Sequence, residues 1–136
     1  MKDVVIADEH YIIREALKRV LSNFNIVGEA VDGDSAIELV RQKKPDMILL
    51  DLSMPKRSGK SLIREIRSCH EDIKILVVTL NTSKKSVSEA LDTGANGYFL
   101  KDENVSALRS AIACIRNGGT YVSPGVGRSD CREEEP

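Results

Sequence analysis

The chain has 136 residues, a net charge of −1, 41% hydrophobic and 30% charged residues, which describes one globular domain with a single core. Near-neutral charge and 4% aromatic content without tryptophan exclude the basic or stacking surfaces used for nonspecific nucleic-acid binding. No apolar run approaches the roughly 18 residues of a membrane span, and Asp8 and Glu9 come too early for a signal peptide. Cys69, Cys114 and Cys131 are odd in number and widely spaced, without a CxxC pair, as expected for reduced thiols of a cytoplasmic protein.

The first strand is predicted at Asp3–Ala7 and runs into Asp8-Glu9-His10. A helical period follows over residues 12–21, then a strand at Asn25–Ala30 and a helix over 35–42. The third strand, 46–50, is the most telling. Its apolar run leads directly into an acid within MILLDLSMP, the pattern of a strand buried on both faces with Asp51 at its carboxyl end. A helix over 62–68, a strand over 73–78 and a helix over 86–92 come next, with Gly94 as a stop. The fifth strand is predicted at Gly97–Leu100. In the last helix, Val105–Arg116, the residues Val105, Leu108, Ile112 and Ile115 form one apolar stripe, and Gly118-Gly119 ends it.

Strict βα alternation implies a parallel sheet with right-handed crossovers and helices on both faces. The first and third strands are the most apolar and end in acids, which fits neighbouring central strands in the order 2-1-3-4-5. Residues 1–122 are therefore expected to form the folded domain. Residues 123–136 (SPGVGRSDCREEEP) have no periodicity, are broken at Pro124, Gly125 and Gly127 and carry a final acidic cluster, so they are expected to be a flexible linker remnant or appended tail.

At the carboxyl rim this order gathers Asp8 and Glu9 from the first strand, Asp51 from the third, Thr79 from the fourth and Lys101 after the fifth. Three nearby carboxylates repel one another unless a cation joins them. Hard oxygen ligands at an open rim suit Mg²⁺, which often also accepts a phosphate. Thr79 offers a hydroxyl donor and Lys101 a point charge, so the set suits a phosphoryl group on a nucleophilic carboxylate. His10, with no partner His or Cys, reads as a helix N-terminal residue rather than a metal ligand.

The sequence DEH after the first strand, MILLDLSMP, VVTL at the fourth strand and GANGYFLKD at the fifth resemble the receiver domain of bacterial two-component response regulators. ADEHYIIREAL and GANGYFLKDEN look most like the NarL/LuxR-type subfamily. The resemblance implies a flavodoxin-like (βα)5 three-layer sandwich and assigns Asp51 as phosphoacceptor from a sensor histidine kinase. It implies Mg²⁺ held by Glu9, Asp51 and the backbone carbonyl of Ser53, with Asp8 acting mainly through water. Lys101 would pair with the phosphoryl oxygens, Thr79 would swing toward the phosphate, and Tyr98 would turn inward behind it as the switch. Ser53, Leu80 and Asn81 would tune access and dephosphorylation; Leu80 stands where the family usually has a small residue, and Glu9 where aspartate is commoner. The resemblance further implies a regulator rather than an enzyme, pairing into homodimers on phosphorylation, with DNA reached only through a C-terminal domain beyond this chain. A stand-alone receiver working by protein contacts is the main rival. A Mg²⁺-dependent phosphohydrolase would want a second acid two residues after the nucleophile, where Ser53 stands. A flavin or nucleotide binder would want a Gly- or Ser-rich loop in place of Asp8-Glu9.

Overall fold

A computed structural model of the chain describes residues 3–126. Its elements run β1 (Asp3–Ala7), α1 (Tyr11–Val20), β2 (Asn25–Ala30), α2 (Gly33–Lys43), β3 (Met47–Leu50) and α3 (Gly59–Cys69). They continue with β4 (Lys74–Thr79), α4 (Lys84–Thr93), β5 (Gly97–Leu100), α5 (Val105–Arg116) and β6 (Tyr121–Val122). All strand pairs are parallel, in the order β2-β1-β3-β4-β5-β6. The expected 2-1-3-4-5 arrangement is present, extended by a sixth edge strand.

Side chains alternate across a strand, so each strand feeds two cores. Val5, Ala7, Ile48, Leu50, Ile75, Val77, Tyr98 and Leu100 face one side, with residues of α2, α3 and α4. Val4, Ile6, Met47, Leu49, Leu76, Val78 and Phe99 face the other, with residues of α1 and α5. All four residues of β3 are buried, as its unbroken apolar run requires. Leu62, Ile63 and Ile66 are fully enclosed on α3, and each such side chain stabilises the fold by roughly 1.5–3 kcal/mol.

α2, α4 and α5 are fixed at their starts by side chains. Asp32 accepts from the Ser35 amide, Ser83 from the Ser86 amide and Asn104 from the Ala107 amide. α4 ends at Gly94, whose φ of 129° lies in the region that favours glycine. At the opposite end of the sheet from the acids, the part-buried Arg67 guanidinium donates to the carbonyls of Glu71, Ile73 and Gly94 and to Asn96 Oδ1. That closes α3, β4 and the α4–β5 turn together.

A sixth strand, for which the sequence carries no periodic signal, forms the last two residues of the expected 1–122 domain. β6 pairs with β5 through Gly97↔Tyr121 and Tyr98↔Val122. Ser123 is buried; its amide donates to the Tyr98 carbonyl and its hydroxyl accepts from the Leu100 amide. Val126 packs on the α2–α4 side of the core. Ser123 and Val126, on the tail side of the boundary drawn from sequence, are thus packed against the domain. The remainder of the proposed tail, 127–136 with Cys131, lies outside the described residues.

Candidate functional site at the carboxyl rim of the sheet

β1 and β3 are hydrogen-bonded neighbours in register, Ala7 opposite Leu50. The residues that follow them, Asp8 and Asp51, therefore emerge side by side, about one strand spacing apart. The Asp51 amide donates to the Ala7 carbonyl and the Asp8 amide to the Ala30 carbonyl, so both backbones stay tied to the sheet. Each aspartate is only 1% exposed. Two carboxylates buried this deeply need a cation or donors to offset them.

Lys101 supplies the first charge. It follows β5, its amide donates to the Thr79 carbonyl, and its side chain crosses the rim. Nζ lies 2.8 Å from Asp8 Oδ2 and 3.2 Å from Asp51 Oδ2. The contact with Asp51 has hydrogen-bond geometry. The approach to Asp8 is a close ion pair without that alignment, and the ammonium is the cation that faces the buried Asp8 Oδ2. Burial alone would raise the Asp8 carboxyl; the Lys101 ammonium and the His10 amide and ring outweigh it and hold the group below the ordinary carboxylate value. Burial would likewise pull Lys101 down, but Asp8 and Asp51 keep its ammonium above the ordinary lysine value.

The other oxygens are held by donors. Asp51 Oδ1 accepts from the Ser53 amide at 3.0 Å and from the Ser53 hydroxyl at 2.8 Å. Met54 is buried behind this turn, and the Pro55 carbonyl accepts from the Gly33 amide, which anchors the loop to α2. Asp8 Oδ1 accepts from the His10 amide at 2.8 Å and meets His10 Nδ1 at 2.9 Å.

Of the residues expected at the site, Asp8, Asp51, Ser53 and Lys101 converge within hydrogen-bonding reach. Glu9 stands further out: its side chain is 43% exposed and its carboxylate lies 3.8 Å from His10 Nε2. Among the described residues, the group whose ligand atoms all lie within 4.8 Å of one another is Asp8, His10 and Asp51, without Glu9. Thr79 is buried at the end of β4 and its hydroxyl accepts from the Asn81 amide at 3.2 Å. Leu80 points outward, 68% exposed. Tyr98 is fully buried; its hydroxyl donates to the Asn81 carbonyl at 2.8 Å and meets Ser86 Oγ at 2.9 Å.

Two residues at the rim and behind it escaped the sequence reading. His10 does begin α1 as its N-cap residue, as expected, but its ring turns back to Asp8 and makes no cap bond. The signal is Asp-x-His itself, since an aspartate commonly accepts from the amide two residues on. Ser86 left no pattern, because its partner Tyr98 is 12 residues away on another element.

Chemically, the rim offers the hard oxygens of two buried carboxylates around a single lysine ammonium. This donor set fits a hard divalent cation and a phosphoryl group better than a soft metal. Among the described residues, no helix is long and apolar enough to cross a membrane.

Residues 4–113 match the sequence model of the response regulator receiver domain. The chain is 38% identical to the transcriptional regulatory protein DegU of Brevibacillus brevis over 126 residues, which cover 90% of this chain and 53% of DegU. It is 34% identical to the probable transcriptional regulatory protein NarL of Mycobacterium tuberculosis, over 90% of this chain and 58% of that protein. The chain thus spans little more than half the length of these relatives. Among solved structures, the isolated REC domain of RcsB from Salmonella enterica serovar Typhimurium, determined with the phosphomimetic BeF3-, superposes with a TM-score of 0.86 at 28% identity, over 93% of this chain and 96% of that one. The receiver domain of the putative response regulator NarL from Mycobacterium tuberculosis does so with a TM-score of 0.80 at 34% identity, over 86% and 97%.

Proposed function

This chain belongs to the response regulator receiver family, in its NarL/LuxR branch, and from that membership we propose that Asp51 is a reversible phosphoacceptor controlled by a sensor histidine kinase. The observation that carries the reading is the bridge from Lys101 to two carboxylates that are each almost wholly buried. A structural ion pair needs one acid. A second buried acid sharing the same single ammonium leaves one negative charge in excess and has the makings of a site for added cationic charge.

Asp8, Glu9, Asp51 and the backbone carbonyl of Ser53 are the residues that would hold Mg²⁺, Asp8 mainly through water. When bound, the ion offsets negative charge on the phosphoryl oxygens. The chain's own groups do the rest. Ser53 orients the Asp51 carboxylate through Oδ1, leaving Oδ2, the oxygen facing Lys101, to attack phosphorus. An O–P bond forms, the P–N bond of the kinase phosphohistidine breaks, and the imidazole leaves. Lys101 then turns its charge to the transferred oxygens, and the Thr79 hydroxyl exchanges the Asn81 amide for one of them. Because Asn81 also accepts from Tyr98, movement there is passed to the β4–α4 loop and the start of α4.

Transcriptional output is proposed by analogy with DegU and NarL, whose names describe transcriptional regulators and whose length exceeds this chain. Incubation with Mg²⁺ and a small phosphodonor should add one phosphoryl mass to the wild type and none to Asp51→Asn. A wild type that stays unmodified under conditions that load another receiver, or an Asp51→Asn protein that gains the adduct, would overturn the assignment.

A further inference from the structure

The two oxygens of Asp8 are treated differently. Oδ1 meets two donor positions, the His10 amide at 2.8 Å and His10 Nδ1 at 2.9 Å, while Oδ2, on the same buried carboxylate, faces the Lys101 ammonium at 2.8 Å. A carboxylate oxygen has two in-plane lone-pair directions, so Oδ1 is saturated by His10, whereas Oδ2, the oxygen turned toward the Lys101 ammonium, keeps a second direction for cationic charge. The terminal torsion of an aspartate is broad and roughly two-fold, so nothing intrinsic to Asp8 selects this orientation.

We propose that His10 is a positioning residue of this site: its amide and ring together fix the rotation of the Asp8 carboxylate so that Oδ2 is presented to Mg²⁺ or to its water shell, and the imidazole itself does not ligate. The inference rests on the reading of the rim as a Mg²⁺-dependent phosphoacceptor site.

Proximity alone would make His10 a ligand, since its ring lies within 4.8 Å of carboxylate atoms of both Asp8 and Asp51. The hydrogen bond argues otherwise. Nδ1 faces an acceptor-only carboxylate oxygen and therefore carries the proton, and a protonated ring nitrogen has no lone pair for a metal. Nε2 faces Glu9 on the outer side, 3.8 Å from Oε2. The arrangement has the form of an outer-shell histidine that orients a ligating carboxylate, the reverse of the usual carboxylate that orients a ligating histidine.

The test is a Mg²⁺ titration of the full chain followed by backbone amide NMR shifts, with the His10 ring nitrogens read from their ¹⁵N shifts. His10→Ala should weaken Mg²⁺ binding about 10-fold or more, the size of effect known for outer-shell partners. His10→Asn places an N–H donor where Nδ1 stands and should restore affinity to within about 3-fold of wild type, whereas His10→Gln, whose donor sits where Nε2 stands, should not. The wild-type ring should show a protonated Nδ1 both without and with Mg²⁺. His10→Ala binding as tightly as wild type would overturn the positioning role and leave the phosphoacceptor reading intact. A deprotonated Nδ1 whose shift follows the metal, with His10→Asn as weak as His10→Ala, would make the imidazole a ligand and overturn it differently. A folded wild type with no Mg²⁺-dependent shifts at the rim would overturn both readings together.

Discussion

Tyr98 and Ser86 join β5 to α4 through a hydroxyl pair 2.9 Å apart, beneath the loop that carries Leu80 and Asn81. Tyr98 is fully buried and also donates to the Asn81 carbonyl, so its inward position is held from two sides. Burial raises the Tyr98 phenol above the ordinary tyrosine value, and Ser86 opposes that rise. Ser86→Ala should therefore shift the Tyr98 titration to still higher pH and cost about 0.5–1.5 kcal/mol, the net worth of one hydrogen bond. NMR of the Tyr98 ring across the alkaline range, with urea unfolding alongside, checks both. A phenol that titrates at lower pH in the variant would show that Ser86 does not hold it.

Lys101→Met keeps the length of the side chain and removes its charge, leaving Asp8 and Asp51 buried without their cation. Breaking such a pair costs roughly 3–5 kcal/mol at neutral pH. The sign with pH is opposite in the two proteins. In the wild type, Asp8 has a lowered pKa, so its stabilisation is full above the ordinary carboxylate value and fades as pH falls through the folded value. In the variant the raising effect of burial loses its main opponent, so protonation relieves the penalty. Urea unfolding should show the deficit shrinking as the pH is lowered from neutral toward the ordinary carboxylate value. A deficit that is constant over that interval would place the loss in packing.

Leu80 is 68% exposed directly after the buried Thr79. Leu80→Ala should leave stability within about 0.5 kcal/mol, as surface changes do, and speed phosphorylation of Asp51 by a small donor. Stopped-time intact-mass measurements supply the rate. Equal rates for the two proteins would remove the idea that its bulk limits access.

Gly97 opens β5 where a side chain has no room. A Cβ there would lie 2.6 Å from Ile115 Cδ1, 2.9 Å from Leu76 Cδ1 and 3.2 Å from the Tyr121 carbonyl oxygen. Gly97→Ala should destabilise the domain by about 1–3 kcal/mol through overpacking, with Mg²⁺ affinity unchanged once folded. Chemical unfolding measures the first and the amide titration the second.

The parts of the molecule that could be read from the chain are those decided by neighbours in sequence. The runs VVIA, MILL and ILVV announce strands buried on both faces; Asp8, Asp51 and Lys101 follow from lying one residue past a strand end, and Thr79 from closing one. α3 begins at Gly59, earlier than its apolar period suggests, because Lys60 and Ser61 are polar and no apolar stripe marks that first turn. β6 was invisible for a different reason. Two residues at a sheet edge carry no periodic signal, and what holds them is Ser123 reaching Leu100 and Tyr98 more than 20 positions back. The same distinction divides the site. Which acids reach the rim is set by strand register, but which of Glu9 and His10 reaches the Asp8 carboxylate depends on the turn after β1, where Asp8 claims the His10 amide. Asp-x-His was legible as letters, and its geometry was not.

The buried Ser123 has a consequence for whatever the chain carries beyond Val126. Its hydroxyl pins the backbone to β5, the strand that bears Tyr98 and leads into Lys101, and Val122, Ser123 and Val126 share one groove with Lys84, Val87 and Leu91 of α4. Any appended segment is thus leashed beside the helix whose first turn holds the Tyr98 hydroxyl. Its encounters with α4 are unimolecular, set by attachment beside that helix rather than by protein concentration, so even a weak contact can respond to a small shift of the helix.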